Sequence, residues 1–151
     1  MCKWASRPEP SAPTAPPITF FPVPYRFLSH TADAAVVLEA PDEAGLRAAG
    51  VAALRELLVG DSPVAVALER PIRASGNDTA ERLINYLREV LYLYDAERFV
   101  PAEAGAEGVR GEPFQADRHR ATREVKAVTY HGAEVRRGAD GGLRATVVFD
   151  L

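Results

Sequence analysis

The spacing of hydrophobic residues predicts two helices in this chain. From Asp42 to Val59, apolar residues recur every three or four positions, and Gly60 follows as a natural helix end. A second helix is predicted from Asp78 to Asp95, because Asp78 is a good N-cap and Glu81 stands three residues later as its capping-box partner. The apolar stripe of this second helix consists of Leu83, Ile84, Leu87, Val90, Leu91 and Tyr94.

Extended patterns predict strands before, between and after these helices. Short polar side chains interrupt the first extended region at Ser29–Asp33, which indicates a bulge or a tight loop. Pro71 lies inside a later one and favours an edge strand, because proline cannot donate a ladder hydrogen bond. Gly111–Phe114 is interpreted as a turn, and Gly138–Gly142 as the turn of a terminal hairpin. The predicted strands are 25–28, 36–40, 64–74, 99–100, 109–110, 124–131 and 147–151.

The order of these elements predicts one α+β domain. Strands joined by hairpin-length links favour a mostly antiparallel sheet, with the two helices packed on one of its faces. Residues 1–24 hold seven of the twelve prolines and are predicted to be a disordered tail, because such proline density supports neither helix nor sheet. The predicted domain is therefore 25–151, a length that suits a single core.

Composition and charge narrow the class of protein. The 151 residues are 47% hydrophobic and 26% charged, as in a soluble globular protein, and the net charge is −3. An acidic chain has no overall attraction to phosphate backbones, so we do not expect strong unaided binding to nucleic acid. Cys2 is the single cysteine, which excludes an internal disulfide. No apolar run is long enough to span a membrane, and prolines stand where a signal peptide needs an apolar segment, so we expect a cytoplasmic protein.

The candidate chemistry lies in carboxylates, because the common enzyme motifs are missing from the sequence. There is no glycine-rich phosphate loop, serine nucleophile elbow or His-Glu-x-x-His zinc helix. Asp33 lies at an irregular point of the first strand region, and Asp150 precedes the main-chain carboxylate of Leu151. If the two strands are neighbours, these three carboxylates can form an oxygen-rich site for Mg²⁺ or Ca²⁺. In the alternative, Asp33 hydrogen-bonds its own loop and Asp150 faces solvent.

His131 is a second candidate, for contact with a partner or a phosphate group. It follows Tyr130 on the predicted strand 124–131 and shares a face with Thr129 and Ala127. The alternative is a structural histidine whose hydrogen bonds are satisfied on a half-apolar face.

Six segments of the chain occur in an order and at a spacing that match a known family. They are His30–Asp33, Leu83–Asp95, Gly111–Phe114, Arg118–His119, Val125–His131 and Val148–Leu151. Together they resemble the archease family over residues 25–151, including the aspartate and apolar residue at the end. The resemblance implies a strand-helix-strand-strand module with an inserted strand segment, consistent with the α+β fold that the hydrophobic pattern predicts.

The resemblance also implies a function. Archeases are activating protein cofactors of the GTP-dependent RNA-splicing ligase, which seals RNA ends in tRNA splicing and RNA repair. They promote guanylylation of the ligase and its multiple turnover. We therefore expect a non-catalytic activator that meets RNA only indirectly, with GTP and Mn²⁺ belonging to the partner ligase.

The site residues of the family can be carried over one by one. The family's metal site matches Asp33, Asp150 and the terminal carboxylate of Leu151, so the resemblance implies a bound divalent cation such as Ca²⁺ or Mg²⁺. His30, Lys126 and His131 are candidates for the partner surface around it.

Three departures from the family pattern and two rival functions stay open at this stage. Ala34 and Ala35 stand where the family tends to carry a glycine, and the shorter stretch 99–111 puts the inserted strands in question. The tail has no counterpart in the family. One rival is a metal-independent binding module or chaperone-like modulator of tRNA-processing enzymes such as tRNA methyltransferases. The other is a stand-alone phosphodiesterase, for which the sequence offers no clear general base.

Overall fold

A computed structural model describes residues 24–29 and 33–151 of this protein. The predicted tail, except for its last residue, lies outside the described residues, as does His30. Within these residues the elements are, in chain order, β1 Tyr25–Ser29, β2 Asp33–Ala40, α1 Glu43–Val59, β3 Leu68–Pro71, α2 Thr79–Glu97, β4 Phe99–Ala104, β5 Gly108–Pro113, β6 Ala127–Arg137 and β7 Leu143–Asp150.

The strands form two sheets, and every pair of neighbouring strands is antiparallel. The larger sheet has the order β1-β2-β7-β6, and the smaller sheet has the order β3-β5-β4. The predicted α+β fold with antiparallel pairing is confirmed. The division into two sheets was not predicted, because short strands carry no signal in their own sequence that names their partners.

Both helices cover the same face of the larger sheet, as predicted. Helix α1 contacts β1, β2 and β7, and α2 contacts α1 and β6. Their apolar stripes join the inward residues of the sheet in one core, whose fully buried large side chains include Phe149, Leu38, Leu54, Leu83, Ile84 and Leu87. The opposite face of the larger sheet has no helix upon it among the described residues.

The helices begin and end close to the predicted positions. Asp42 is the N-cap of α1, where its side chain accepts a hydrogen bond from the Gly45 amide at 2.8 Å. Gly60 ends α1 with φ +62, a left-handed value that favours glycine. Helix α2 continues two residues beyond the predicted Asp95, and Arg98 caps it with φ +56.

The N-terminus of α2 is held by the predicted cap. The Asp78 carboxylate accepts a hydrogen bond from the Glu81 amide at 2.8 Å, and the Glu81 side chain accepts from the Asn77 amide at 2.5 Å. We expect Asp78→Ala to lower the free energy of unfolding by about 1 kcal/mol, because one helix donor loses its partner. Urea denaturation followed by circular dichroism measures the change. Asp117→Ala, in a surface loop, is the control, and an equal loss there would contradict a capping role.

The inserted segment differs most from the prediction. Strands β4 and β5 are each six residues long, so the shorter stretch 99–111 keeps its strands. Gly111–Phe114 is not a turn, because Gly111 pairs with Leu68 on one side and with Pro101 on the other. The predicted strand 64–74 is regular only over Leu68–Pro71. It lies at a sheet edge, as Pro71 indicated.

Candidate functional site

The pairing of β2 with β7 places Asp33 directly opposite Asp150. Asp33 is the first residue of β2, and residues 30–32 of the predicted loop Ser29–Asp33 lie outside the described residues. Just before this loop, the pairing of β1 with β2 shifts register between Phe27 and Ser29. Directly opposed residues of an antiparallel pair have Cβ atoms about 4.5–5.5 Å apart and point to the same face. The structure therefore brings the two predicted aspartates together at one end of the sheet.

Both carboxylates face away from the helices. Ala34 and Phe149, the neighbours of Asp33 and Asp150 along their strands, are fully buried in the core. Because successive side chains of a strand alternate between faces, the two aspartates lie on the face opposite to α1 and α2. Asp33 is exposed and Asp150 is half-buried. Leu151 packs against the core, which keeps its main chain beside Asp150.

Two like charges opposed in this way are destabilising unless something compensates them. No Lys, Arg or His side chain in the described part of the chain forms an ion pair with Asp33 or Asp150. The donors are all carboxylate oxygens, which suit a hard cation such as Mg²⁺ or Ca²⁺. Within 24–29 and 33–151, no group of three or more His, Cys, Asp or Glu side chains could hold a metal ion. A cation here would need further ligands, such as the Leu151 carboxylate or water.

The structure describes the three candidates for the partner surface to different extents. Lys126 precedes β6 and is exposed, and its backbone amide donates to the Asp150 carbonyl at 2.8 Å, so it lies beside the aspartate pair. His131 lies within β6, in a bulge where residues 130–133 oppose the single residue Val147. Bulges often re-aim side chains next to functional sites. The structure does not describe the His131 side chain or any part of His30.

Helix α2 and strand β6 share a contact that the sequence pattern did not predict. The Arg88 Nε donates to the Val128 carbonyl at 2.9 Å, and its guanidinium stacks 4.2 Å from the centre of the Tyr130 ring. The Tyr130 hydroxyl donates to the Asn85 side chain. These contacts hold the strand that begins at Ala127, the second partner of Asp150. The only sequence signal was the spacing of Asn85 and Arg88, which puts both on one face of the helix.

A buried carboxylate, Glu112, forms a second cluster of charged groups. It is 5% exposed and accepts hydrogen bonds from Arg118, from the Ala65 amide at 2.7 Å and from His119 Nε2 at 3.1 Å. His119 Nδ1 accepts from the Gln115 amide at 2.9 Å, so the hydrogen of the neutral ring lies on Nε2. The Glu112, Arg118 and His119 side chains hydrogen-bond to one another within the protein. We therefore interpret the cluster as structural rather than as a ligand site.

The Glu112 cluster predicts a pH-dependent stability. The hydrogen bond from Arg118, with smaller contributions from the Ala65 amide and His119, lowers the pKa of Glu112 from 4.5 to about 2. Because the pKa is lower in the folded than in the unfolded chain, the stabilisation is present above pH 4.5 and is lost as pH falls towards 2. At pH 7 we expect Glu112→Gln to cost about 1–3 kcal/mol.

Urea unfolding of both proteins between pH 7 and pH 3 tests this expectation. The gap between wild type and Glu112→Gln should shrink as pH falls. Glu103→Gln is the control, because Glu103 forms an exposed pair with Arg110 at 3.2 Å that should contribute less than about 1 kcal/mol. A gap that stays constant with pH would contradict a charged Glu112.

The described helices include none that is long and apolar enough to cross a membrane.

Comparison with known proteins gives consistent results. The model of the Archease protein family matches residues 25–151. The archease of Methanopyrus kandleri is 35% identical over 141 residues, covering 85% of this chain and 100% of that protein. The archease of Archaeoglobus fulgidus is 31% identical and covers 84% and 98%.

Solved structures agree in fold. The solution structure of Methanobacterium thermoautotrophicum protein 1598 superposes with a TM-score of 0.67 at 27% identity, covering 85% of this chain and 99% of that one. A crystal structure from Thermotoga maritima, described as an archease and possible chaperone, superposes with a TM-score of 0.57 at 20% identity, covering 83% and 96%. The second likeness concerns the fold alone. The match of the family model over residues 25–151, with these relatives, shows that the chain belongs to the archease family.

Proposed function

We propose that this protein is a non-catalytic activator of a GTP-dependent RNA-splicing ligase, and that it acts through the end of the sheet that carries Asp33 and Asp150. Family membership supports the class of function. The observation that carries the proposal is the Asp33–Asp150 pair itself. Two directly opposed carboxylates cost the sheet stability unless a cation or a group of a partner compensates their charge.

Asp33, Asp150 and the carboxylate of Leu151 are the groups that would hold a divalent cation. When bound, such a cation would neutralise the pair and offer positive charge to phosphate or carboxylate oxygens of a partner. The chain's own residues supply the positioning. The β2–β7 register aligns the two aspartates, the Leu151 side chain anchors the last residue in the core, and Arg88 holds β6 beside them.

RNA end-joining by the splicing ligase of the same organism tests the proposal. RNA and GTP are supplied in excess, and ligase turnovers are counted with and without this protein. We expect many turnovers per ligase only when the protein is present. Ligation that is unchanged by the protein would overturn the proposal.

The second candidate is a metal-independent binding module or chaperone-like modulator of tRNA-processing enzymes. We test it because the Thermotoga maritima protein of similar fold is described as a possible chaperone. It predicts that the protein binds several enzymes, including tRNA methyltransferases, and that binding survives neutralisation of Asp33 and Asp150. Pull-down of purified ligase and methyltransferase with wild type and Asp33→Asn separates the two functions.

A further inference from the structure

An open groove lies at the end of the larger sheet opposite to Asp33 and Asp150. Its walls are the junction between β2 and α1, at Glu39–Pro41, and the β6–β7 hairpin, at residues 136–144, while Pro24 completes the rim. The groove has a volume of about 1150 Å³. That volume is somewhat larger than that of typical small-ligand pockets, so it can take several side chains of a peptide.

The floor of the groove is apolar and belongs to the margin of the core. Ala40 and Leu143 are half-buried and pack against the core cluster. The charged groups at the rim are already engaged, since Arg144 pairs with Glu39 at 2.5 Å and Arg137 donates to the Gly141 carbonyl at 2.6 Å. An uncharged apolar ligand therefore suits the groove better than a phosphate or an acidic peptide.

The hairpin wall is preformed. The Gly138 amide donates to the Gly142 carbonyl at 2.7 Å, and the Gly142 amide donates to the Asp140 side chain at 3.0 Å. Gly141 takes φ +88, which closes the turn at a value that favours glycine. Because its own hydrogen bonds are satisfied, this wall can bind apolar side chains without leaving polar groups unpaired.

The chain supplies an occupant of matching chemistry at the rim. Pro24 is fastened to the sheet, since its carbonyl accepts from the Glu39 amide at 2.9 Å. The residues just before it, 18–23, read Ile-Thr-Phe-Phe-Pro-Val and carry no charge, and the nearest charged residue upstream is Glu9. Six residues reach at most about 20 Å, which spans a groove that begins at Pro24. Tethering at this distance gives an effective concentration in the millimolar range.

We propose that residues 18–23 of this chain bind in the groove, with the rings of Phe20 and Phe21 against Ala40, Pro41 and Leu143. The segment then caps the apolar margin of the core at the hairpin end. The opposite end of the sheet, with Asp33 and Asp150, stays open.

Methyl NMR of the full chain tests this docking. We expect nuclear Overhauser contacts from the Phe20 or Phe21 ring to the methyl groups of Ala40 and Leu143, and ring-current shifts of those methyl signals. The double variant Phe20→Ser/Phe21→Ser should lose both the contacts and the shifts. The matched control Pro13→Ser/Pro16→Ser, which lies before this segment, should keep them.

Two results would overturn the proposal. Methyl shifts of Ala40 and Leu143 that are identical in wild type and the Phe20→Ser/Phe21→Ser variant would show that the segment does not occupy the groove. Shifts that change with protein concentration would show that a second copy of the chain occupies it instead. Unchanged spectra of the core methyl groups, such as those of Leu54, confirm that each variant is folded.

Discussion

Asp33→Asn is expected to reduce activation of the ligase strongly while leaving the fold intact. The substitution keeps the volume of the side chain but removes one of the two opposed charges at the Asp33–Asp150 pair. If the pair holds a cation or contacts the ligase directly, activation should fall by about tenfold or more, which corresponds to at least about 1.4 kcal/mol of lost interaction. Multiple-turnover RNA ligation measures the loss.

The fold should tolerate this change, and stability provides the internal control. Removing the repulsion between directly opposed like charges should leave the free energy of unfolding unchanged or raise it by about 0.2–1 kcal/mol. Urea unfolding followed by circular dichroism measures it. A marked loss of stability in Asp33→Asn would make the residue structural, and retained activation would remove it from the proposed site.

Two further variants sharpen the test. Asp150→Asn should lose activation to the same degree, and the double variant should lose little more than either single one, because residues that act as one site are not additive. Asp140→Asn is the matched control at the other end of β7. It removes a charge, and its amide oxygen can still accept the hydrogen bond from Gly142. Equal loss in Asp140→Asn would point to overall charge rather than to the pair.

Calorimetric titration with Mg²⁺ or Ca²⁺ separates a metal role from direct contact. Binding to wild type that disappears in Asp33→Asn would assign a cation to the pair. Lost activation without any metal binding to wild type would assign the carboxylates themselves to the partner surface.

Gly111→Ala is expected to have the largest effect on stability. Gly111 lies in β5, the central strand of the smaller sheet. A Cβ atom there would lie 1.9 Å from the carbonyl oxygen of Val100, on the neighbouring strand β4. That oxygen is backbone, so it can move only if the strands separate. We expect a loss of about 3–5 kcal/mol in the free energy of unfolding, a size reached by few single substitutions.

Urea denaturation should show this as a midpoint about 1–3 M lower than in wild type. Gly138→Ala is the matched control in the β6–β7 hairpin. Its Cβ would come within 3.1 Å only of the Asp140 side chain, which can turn aside. We expect a change below about 1 kcal/mol there. Similar midpoints for the two variants would show that β4 and β5 are not held as closely as described.

The sequence singled out Asp33 and Asp150 as candidates, but it could not predict that they lie directly opposite each other. Asp33 and Asp150 could be selected because each adjoins an extended run and the second stands beside a terminal carboxylate. Their direct opposition depends on the register of β2 with β7, two strands more than one hundred residues apart in the chain. A shift of one residue would have placed them on opposite faces, and nothing local to either strand excludes such a shift.

The burial of Glu112 could not be predicted from the sequence either. Its sequence context, between a glycine and a proline, indicated a turn, and a glutamate is seldom buried. Its partners come from the separate segments around Ala65 and Arg118, which only the folded chain brings together. The contact of Arg88 with Val128 is equally distant in sequence.

The sequence by itself determined both helices, their caps at Asp42 and Asp78, the terminal hairpin and the α+β class. These features depend on neighbouring residues, through helical periodicity, capping side chains and turn glycines. Tertiary structure alone decided the division of the strands into two sheets, the Asp33–Asp150 register and the burial of Glu112. Strand pairing and burial depend on the summed packing of distant segments, and the local pattern of a short strand is compatible with several partners.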